Sequence, residues 1–171
     1  IGVYVRRVVY KLIFNSVGKK LFSDILIYID HPKNISIGNN CRINRFCSLV
    51  ACADSKIRIG NSVSINQLVN ISSANGGEIN IGDNVLIGSN VVIRASDHNI
   101  NDLDKNINNS GHVPGKINIC NNVWIASNCV ILKNVTIEEG SVIGAGTIVT
   151  KDVKKNTVVA SGGEKVLKTR D

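Results

Sequence analysis

Long apolar runs are missing from this sequence: none reaches the ~18–20 residues that a membrane-crossing helix needs. Aromatic side chains are scarce, at 4% with a single tryptophan, and only two prolines occur among 171 residues. Such a composition suits a core of small branched aliphatics better than a mixed α/β core. The five cysteines are odd in number and lack metal-type spacing. That argues for a reducing, cytosolic setting and against a bound metal. The first residues do not read as a signal peptide. Acidic groups are the minority, 13 against 20 lysines and arginines, so the net charge is +7. The excess favours anionic partners: phosphorylated small molecules, an acidic membrane surface or nucleic acid. The few aromatics do not interleave with the basic residues, which removes nucleic acid from that set.

What the chain has in quantity is aliphatic residues six apart, in sets of three. The sets are Ile37, Ile43, Leu49; Ile59, Ile65, Ile71; Ile81, Ile87, Ile93; Ile119, Ile125, Ile131; and Ile137, Ile143, Val149. Ile, Leu and Val make up about a third of the chain, so fifteen matches by chance have a probability on the order of 10⁻⁷ before register is chosen. Two residues before each stands a second, mostly apolar residue, such as Ile57, Val63 and Val69. That pairing puts two side chains on one face of a short strand. Gly38, Gly60, Gly82, Gly88 and Gly144 directly follow their aliphatic residue, where a turning backbone leaves little room. Asn39, Asn40, Asp83, Asn84, Asn121 and Asn122 supply turn chemistry. A strand and a turn in six residues, three times over, is one coil of a triangular prism. The expected fold is therefore all-β: a parallel β-helix of about five coils, each burying its apolar face against its neighbours.

The interruptions fall on one edge of the prism. Short insertions separate Leu49 from Ile59 and Ile71 from Ile81, and a long polar insert, residues 94–116, separates Ile93 from Ile119. A loop of that length in a compact domain is usually functional. Three regions result: an N-terminal helix and cap over residues 1–34, the β-helix over 35–160, and a C-terminal tail over 161–171. Residues 2 to 22 read as an amphipathic helix that caps the open end of the coil. Its basic face, with Arg6, Arg7 and Lys11, is also suited to peripheral contact with the inner membrane. Glu164 to Arg170 reads as a short helix or a basic tail.

Two strings go beyond periodicity. One is Val123-Trp124-Ile125-Ala126-Ser127-Asn128; the other is Val142-Ile143-Gly144-Ala145-Gly146-Thr147-Ile148-Val149-Thr150-Lys151-Asp152. With the repeat, they resemble the hexapeptide-repeat acetyltransferases, in particular the galactoside/maltose and the lipopolysaccharide and capsule O-acetyltransferases. The resemblance covers roughly residues 35 to 168. It implies a left-handed coil, where the general crossover rule favours the right hand, a homotrimer with sites between subunits, and acetyl-CoA as acyl donor.

Transfer of an acetyl group to a sugar hydroxyl needs a base, and histidine serves best near neutral pH. His98, in Asp97-His98-Asn99 at the mouth of the long insert, stands where the family carries its catalytic histidine. The resemblance places Asn66 beside the reacting hydroxyl and packs Trp124 near the thioester end. It gives the pantetheine amides to Ser127 and the backbone of Ala145. Thr150 and Lys151 fall at the nucleotide end, and Lys165 and Lys168 at the phosphates. His112 reads as a loop or substrate contact and His31 as structural. Asp97 is a weak candidate to orient His98, because neighbouring side chains on an extended strand diverge. Cys41, Cys47 and Cys129 read as small core residues, so transfer is direct, with no cysteine intermediate.

The family's Gly-x-Pro-Ala-Lys ending reads Ser161-Gly162-Gly163-Glu164-Lys165 here, and Cys52 and Ala74 stand where galactosides are gripped. The expected acceptor is therefore a hydroxyl of a bacterial surface polysaccharide or its precursor, with the reaction in the cytoplasm. The alternatives are N-acetylation of an amino-sugar nucleotide and a non-catalytic binding module. A β-helix carbonic anhydrase needs three zinc-binding histidines, and the three present have no pair at repeat spacing.

Overall fold

The computed structural model describes residues 2–160 in full and residues 165–169 by their backbone. Within it the chain winds into a parallel β-solenoid with three faces and one N-terminal helix, α1 (Gly2–Ile13). The first face stacks Ser16–Val17, Ile35–Ile37, Lys56–Ile59, Glu78–Ile81, Lys116–Ile119 and Val135–Ile137. The second stacks Phe22–Ser23, Arg42–Ile43, Ser64–Ile65, Leu86–Ile87, Trp124–Ile125, Val142–Ile143 and Thr157–Ala160, and the antiparallel strand Lys165–Thr169 closes it. The third stacks Tyr28–Asp30, Ser48–Ala51, Asn70–Ser73, Val92–Arg94, Val130–Ile131 and Ile148–Val149.

All fifteen repeat positions are buried, none more than 4% exposed. The positions two residues earlier are buried as well, including Cys41, Cys47 and Cys129. Two of them are polar and satisfied: the Ser141 hydroxyl donates to the Lys154 carbonyl at 2.7 Å, and that of Thr147 to the Gly144 carbonyl at 2.7 Å. Register stacks like on like, with Ile65, Ile87, Ile125 and Ile143 forming one column. Each such isoleucine contributes about 1.5–3 kcal/mol of burial.

The solenoid has six full coils where the repeat led us to expect about five. The added coil comes first. Val17, Ser23 and Ile29 pair with Ile37, Ile43 and Leu49, so the six-residue spacing extends to the chain's start. The helix accordingly ends at Ile13 rather than near residue 22. At the other end the segment expected as a helix or tail is a strand over Lys165–Thr169.

The turns follow their predicted chemistry. At the edge between the first and second faces, side-chain amides and a carboxylate form a ladder. The Asn39 N–H donates to Asn61 Oδ1 at 2.9 Å, that of Asn61 to Asp83 Oδ1 at 2.6 Å, and that of Asp83 to Asn121 Oδ1 at 2.8 Å. Asn40, Asn84 and Asn122 beside them take the left-handed backbone conformation that asparagine tolerates. Gly88 is needed for close approach, not for its φ: a Cβ there would lie 2.7 Å from the Ser127 nitrogen. All three insertions leave the coil between the third and first faces, here called the insert edge.

Candidate active site

The long insert opens as a β-hairpin. Ser96–His98 pairs antiparallel with His112–Pro114, which puts His98 directly opposite His112. Their rings lie 4.4 Å apart with planes inclined by 35°. His98 is exposed and His112 half-buried.

The hairpin is held to the coil above it. The Lys133 ammonium lies 3.2 Å from the Asp97 carboxylate and donates to the Val113 carbonyl at 3.3 Å, so one side chain clips both strands. Arg94 Nε donates to the Ser96 carbonyl at 3.3 Å, and the Gly115 N–H to the Ala95 carbonyl at 2.8 Å, which ties the base of the hairpin. Asp97 therefore anchors to Lys133. Alternation along the strand turns it away from the side that carries His98. Lys133 is a residue that the sequence reading did not single out. Thr150 and Lys151 continue the insert edge one coil further on.

The other expected residues occupy a different part of the prism. Trp124 stands outward on the second face, 51% exposed, between Leu86 and Val142 in register. With Asn84, Asn122 and Val158 these residues line an open pocket of about 510 Å³. A largely apolar groove beside an exposed indole suits a flexible, partly apolar ligand arm. Ser127 and Ala145 lie at the edge between the second and third faces. There the Ser127 carbonyl accepts from the Gly146 N–H at 2.9 Å. Among the described residues the Ala145 N–H donates to no protein acceptor, which leaves it open to a ligand carbonyl. Asn66 is exposed on that edge, and its Oδ1 accepts from Asn44 Nδ2 at 3.1 Å. The side chains of Lys165 and Lys168 lie outside the described residues.

One chain thus divides the expected site residues between two edges. His98, His112, Lys133, Thr150 and Lys151 belong to the insert edge. Asn66, Ser127 and Ala145 belong to the edge between the second and third faces, with Trp124 beside it on the second face. The width of the third face separates the two groups.

The thiols are not set up as nucleophiles. Burial pushes Cys41, Cys47 and Cys129 above the ordinary thiol range. Burial, then the Asp30 carboxylate, does the same at Cys52, and burial, then Glu138 and Glu139, at Cys120. A thiol held protonated is a poor attacking group.

The bacterial transferase hexapeptide family (six repeats) matches residues 116–151, which are coils five and six. The family's repeat is thus matched in those two coils. No curated protein matches the chain, but solved structures do. It is similar to AntD, an N-acyltransferase from Bacillus cereus in complex with dTDP-4-amino-4,6-dideoxyglucose and coenzyme A. The identity is 25% over 97% of this chain and 89% of that one, with a TM-score of 0.82. It is also similar to a maltose O-acetyltransferase from Clostridium difficile, at 29% identity over 97% of this chain and 75% of that one, with a TM-score of 0.64. A hexapeptide-repeat acetyltransferase from Vibrio cholerae complexed with acetyl-CoA shares the fold at 23% identity, covering 98% of this chain and 78% of that one, with a TM-score of 0.67.

Proposed function

We propose that this chain is an acetyl-CoA-dependent O-acetyltransferase acting on a sugar hydroxyl of a bacterial surface polysaccharide or its precursor. The observation that carries the reading is His98: an exposed imidazole on a hairpin clipped to the solenoid by Lys133. A hydroxyl must lose its proton as it attacks, and a positioned imidazole takes it. A neutral amine attacks without such help, so an exposed histidine at the insert favours a hydroxyl acceptor. Acyl-CoA supplies an acyl carbon activated as a thioester. His98 accepts the hydroxyl proton while the new C–O bond forms, then returns it to the sulfur as the C–S bond breaks. His112, paired across the hairpin, sets one side of the space around that imidazole. The groove at Trp124, the Ser127 hydroxyl and the open Ala145 N–H suit the pantetheine arm, and Lys151 and Thr150 suit the nucleotide end. The raised thiols support direct transfer over a covalent cysteine step.

The same proposal makes the working unit a homotrimer. The two groups of site residues meet if the insert edge of one copy lies against the edge between the second and third faces of another. Along that second edge Leu26, Phe46 and Leu68 are exposed, and each holds a left-handed backbone. For residues of that size this conformation costs roughly 1–2 kcal/mol each. A subunit contact covering the column offsets that cost. We place the reaction in the cytoplasm, where acyl-CoA is made and free thiols persist.

The second reading, N-acylation of an amino-sugar nucleotide, draws on the superposition with AntD at a TM-score of 0.82. Thiol release from acetyl-CoA across a panel of glycans, sugar nucleotides and amino-sugar nucleotides separates the two. Turnover with hydroxyl acceptors supports O-acetylation; turnover confined to amines replaces it with N-acylation. No turnover with any acceptor supports the binding module.

A further inference from the structure

α1 is amphipathic, and it is mounted inside out. Its half-buried residues are Val3, Arg6, Arg7 and Tyr10, spaced three and four apart, and they continue to the buried Phe14. This is the face that meets the solenoid, and it carries the arginines. Arg6 donates through Nε and Nη2 to the Ser23 carbonyl at 3.2 and 2.9 Å, and Arg7 Nε to the Leu21 carbonyl at 3.0 Å. Both carbonyls belong to the first coil, which has no coil before it to pair with. The guanidiniums thus cap the open end of the sheet, a task expected of apolar packing. The basic face expected to meet a membrane is largely consumed by this role.

The apolar residues are left facing outward. Val5, Val8, Val9 and Leu12, again three and four apart, are all exposed, with Val8 at 61% and Leu12 at 72%. Tyr4 is exposed beside them. No residue of the helix is fully buried. At 12 residues the helix is about 18 Å long, too short to cross a bilayer of ~30 Å but suited to lie along its surface.

We propose that this outer face docks on an anionic lipid surface. Charge selects that occupant. Residues 1–33 contain six cationic side chains, Arg6, Arg7, Lys11, Lys19, Lys20 and Lys33, and two acids, Asp24 and Asp30. Asp24 is paired with Arg45 and Asp30 with His31. α1 has no acidic residue; Lys11 on the helix and Lys19 and Lys20 in the first coil, against which the helix packs, are exposed. Apolar residues flanked by lysines match an acyl boundary beneath anionic headgroups. A second copy facing end to end sets those lysines against their own kind, with no acid on the helix to offset them. The inference is independent of the reaction assigned above.

The test is flotation of the full chain with vesicles of phosphatidylglycerol and phosphatidylethanolamine, against phosphatidylcholine alone. We expect recovery with the anionic vesicles, little with the neutral ones, and release as salt shortens the screening length from about 10 Å to about 3 Å. Val8→Asp with Leu12→Asp changes two exposed side chains. It should lower anionic-vesicle binding at least about tenfold with an unchanged melting temperature. Lys19→Glu with Lys20→Glu should weaken binding several-fold while leaving the apolar stripe intact. Failure of the wild-type chain to float, or equal flotation of the Val8→Asp, Leu12→Asp variant, overturns the proposal. So does a drop in assembly size with that variant at unchanged flotation, which assigns the face to a second copy.

Discussion

Lys133→Met removes the ammonium that joins both hairpin strands to coil five while keeping most of the aliphatic stem. The ammonium holds Asp97 at 3.2 Å and the Val113 carbonyl at 3.3 Å. Hydrogen bonds to a charged group are worth roughly 1.5–3 kcal/mol when sheltered. Here the Asp97 side chain is 47% exposed, so water screens the pair and brings it nearer 1 kcal/mol. The solenoid core lies elsewhere, so the melting temperature should move by no more than a few degrees. The cost falls on the position of His98. If the loosened hairpin must be re-ordered before each transfer, about 1 kcal/mol is roughly a fivefold loss in kcat. Thiol release at saturating acetyl-CoA measures it, and the KM for acetyl-CoA should change little. An unchanged kcat refutes the clip as a positioning device. A collapse of the melting temperature refutes the separation of hairpin from core.

Three further outcomes follow from the same geometry. Trp124→Ala removes the one exposed indole of the groove and should weaken acetyl-CoA binding about tenfold by calorimetry, on the scale of an aromatic contact. Gly88→Ala presses a methyl onto the backbone of Ala126 and Ser127, and it should cost about 1–3 kcal/mol in chemical unfolding. The Glu138 carboxyl is held below its ordinary range by the Lys155 backbone N–H first, then by Lys154. Its stabilising share is present above the unfolded carboxyl's pKa and is lost as pH falls through the lower folded value. Melting curves of Glu138→Gln and wild type should therefore differ at neutral pH and converge in acid.

The repeat was legible because its spacing is strict and its residues are branched. The spacing alone puts the fifteen repeat positions from Ile37 to Val149 on the inward face, and all fifteen are buried. Coil one was hidden by one residue: Ser23 takes an inward place where Ile43 and Ile65 stand above it. With that serine in the series, the spacing no longer marks Leu21 as a core residue, and Leu21 is buried. Val153 and Val159, six apart and buried, continue the same spacing at the far end.

The insert resisted reading for a different reason. His98 stood out by its neighbours in sequence, but its partner across the hairpin is fourteen residues away, with no periodic signal to set the pairing. Lys133 had even less to mark it, being one turn lysine among many until the hairpin folds onto it. For α1, amphipathic spacing says that two faces differ, not which one is buried. The orphan carbonyls of Leu21 and Ser23 decide that, and they are a property of the coil rather than of the helix.

The proposed reaction turns on His98 as the base for acyl transfer. Thiol release by His98→Ala, measured alongside acetyl-CoA affinity, tests it most directly. The rate should fall by roughly 10²–10⁴-fold at an unchanged dissociation constant. Full activity in that variant contradicts it.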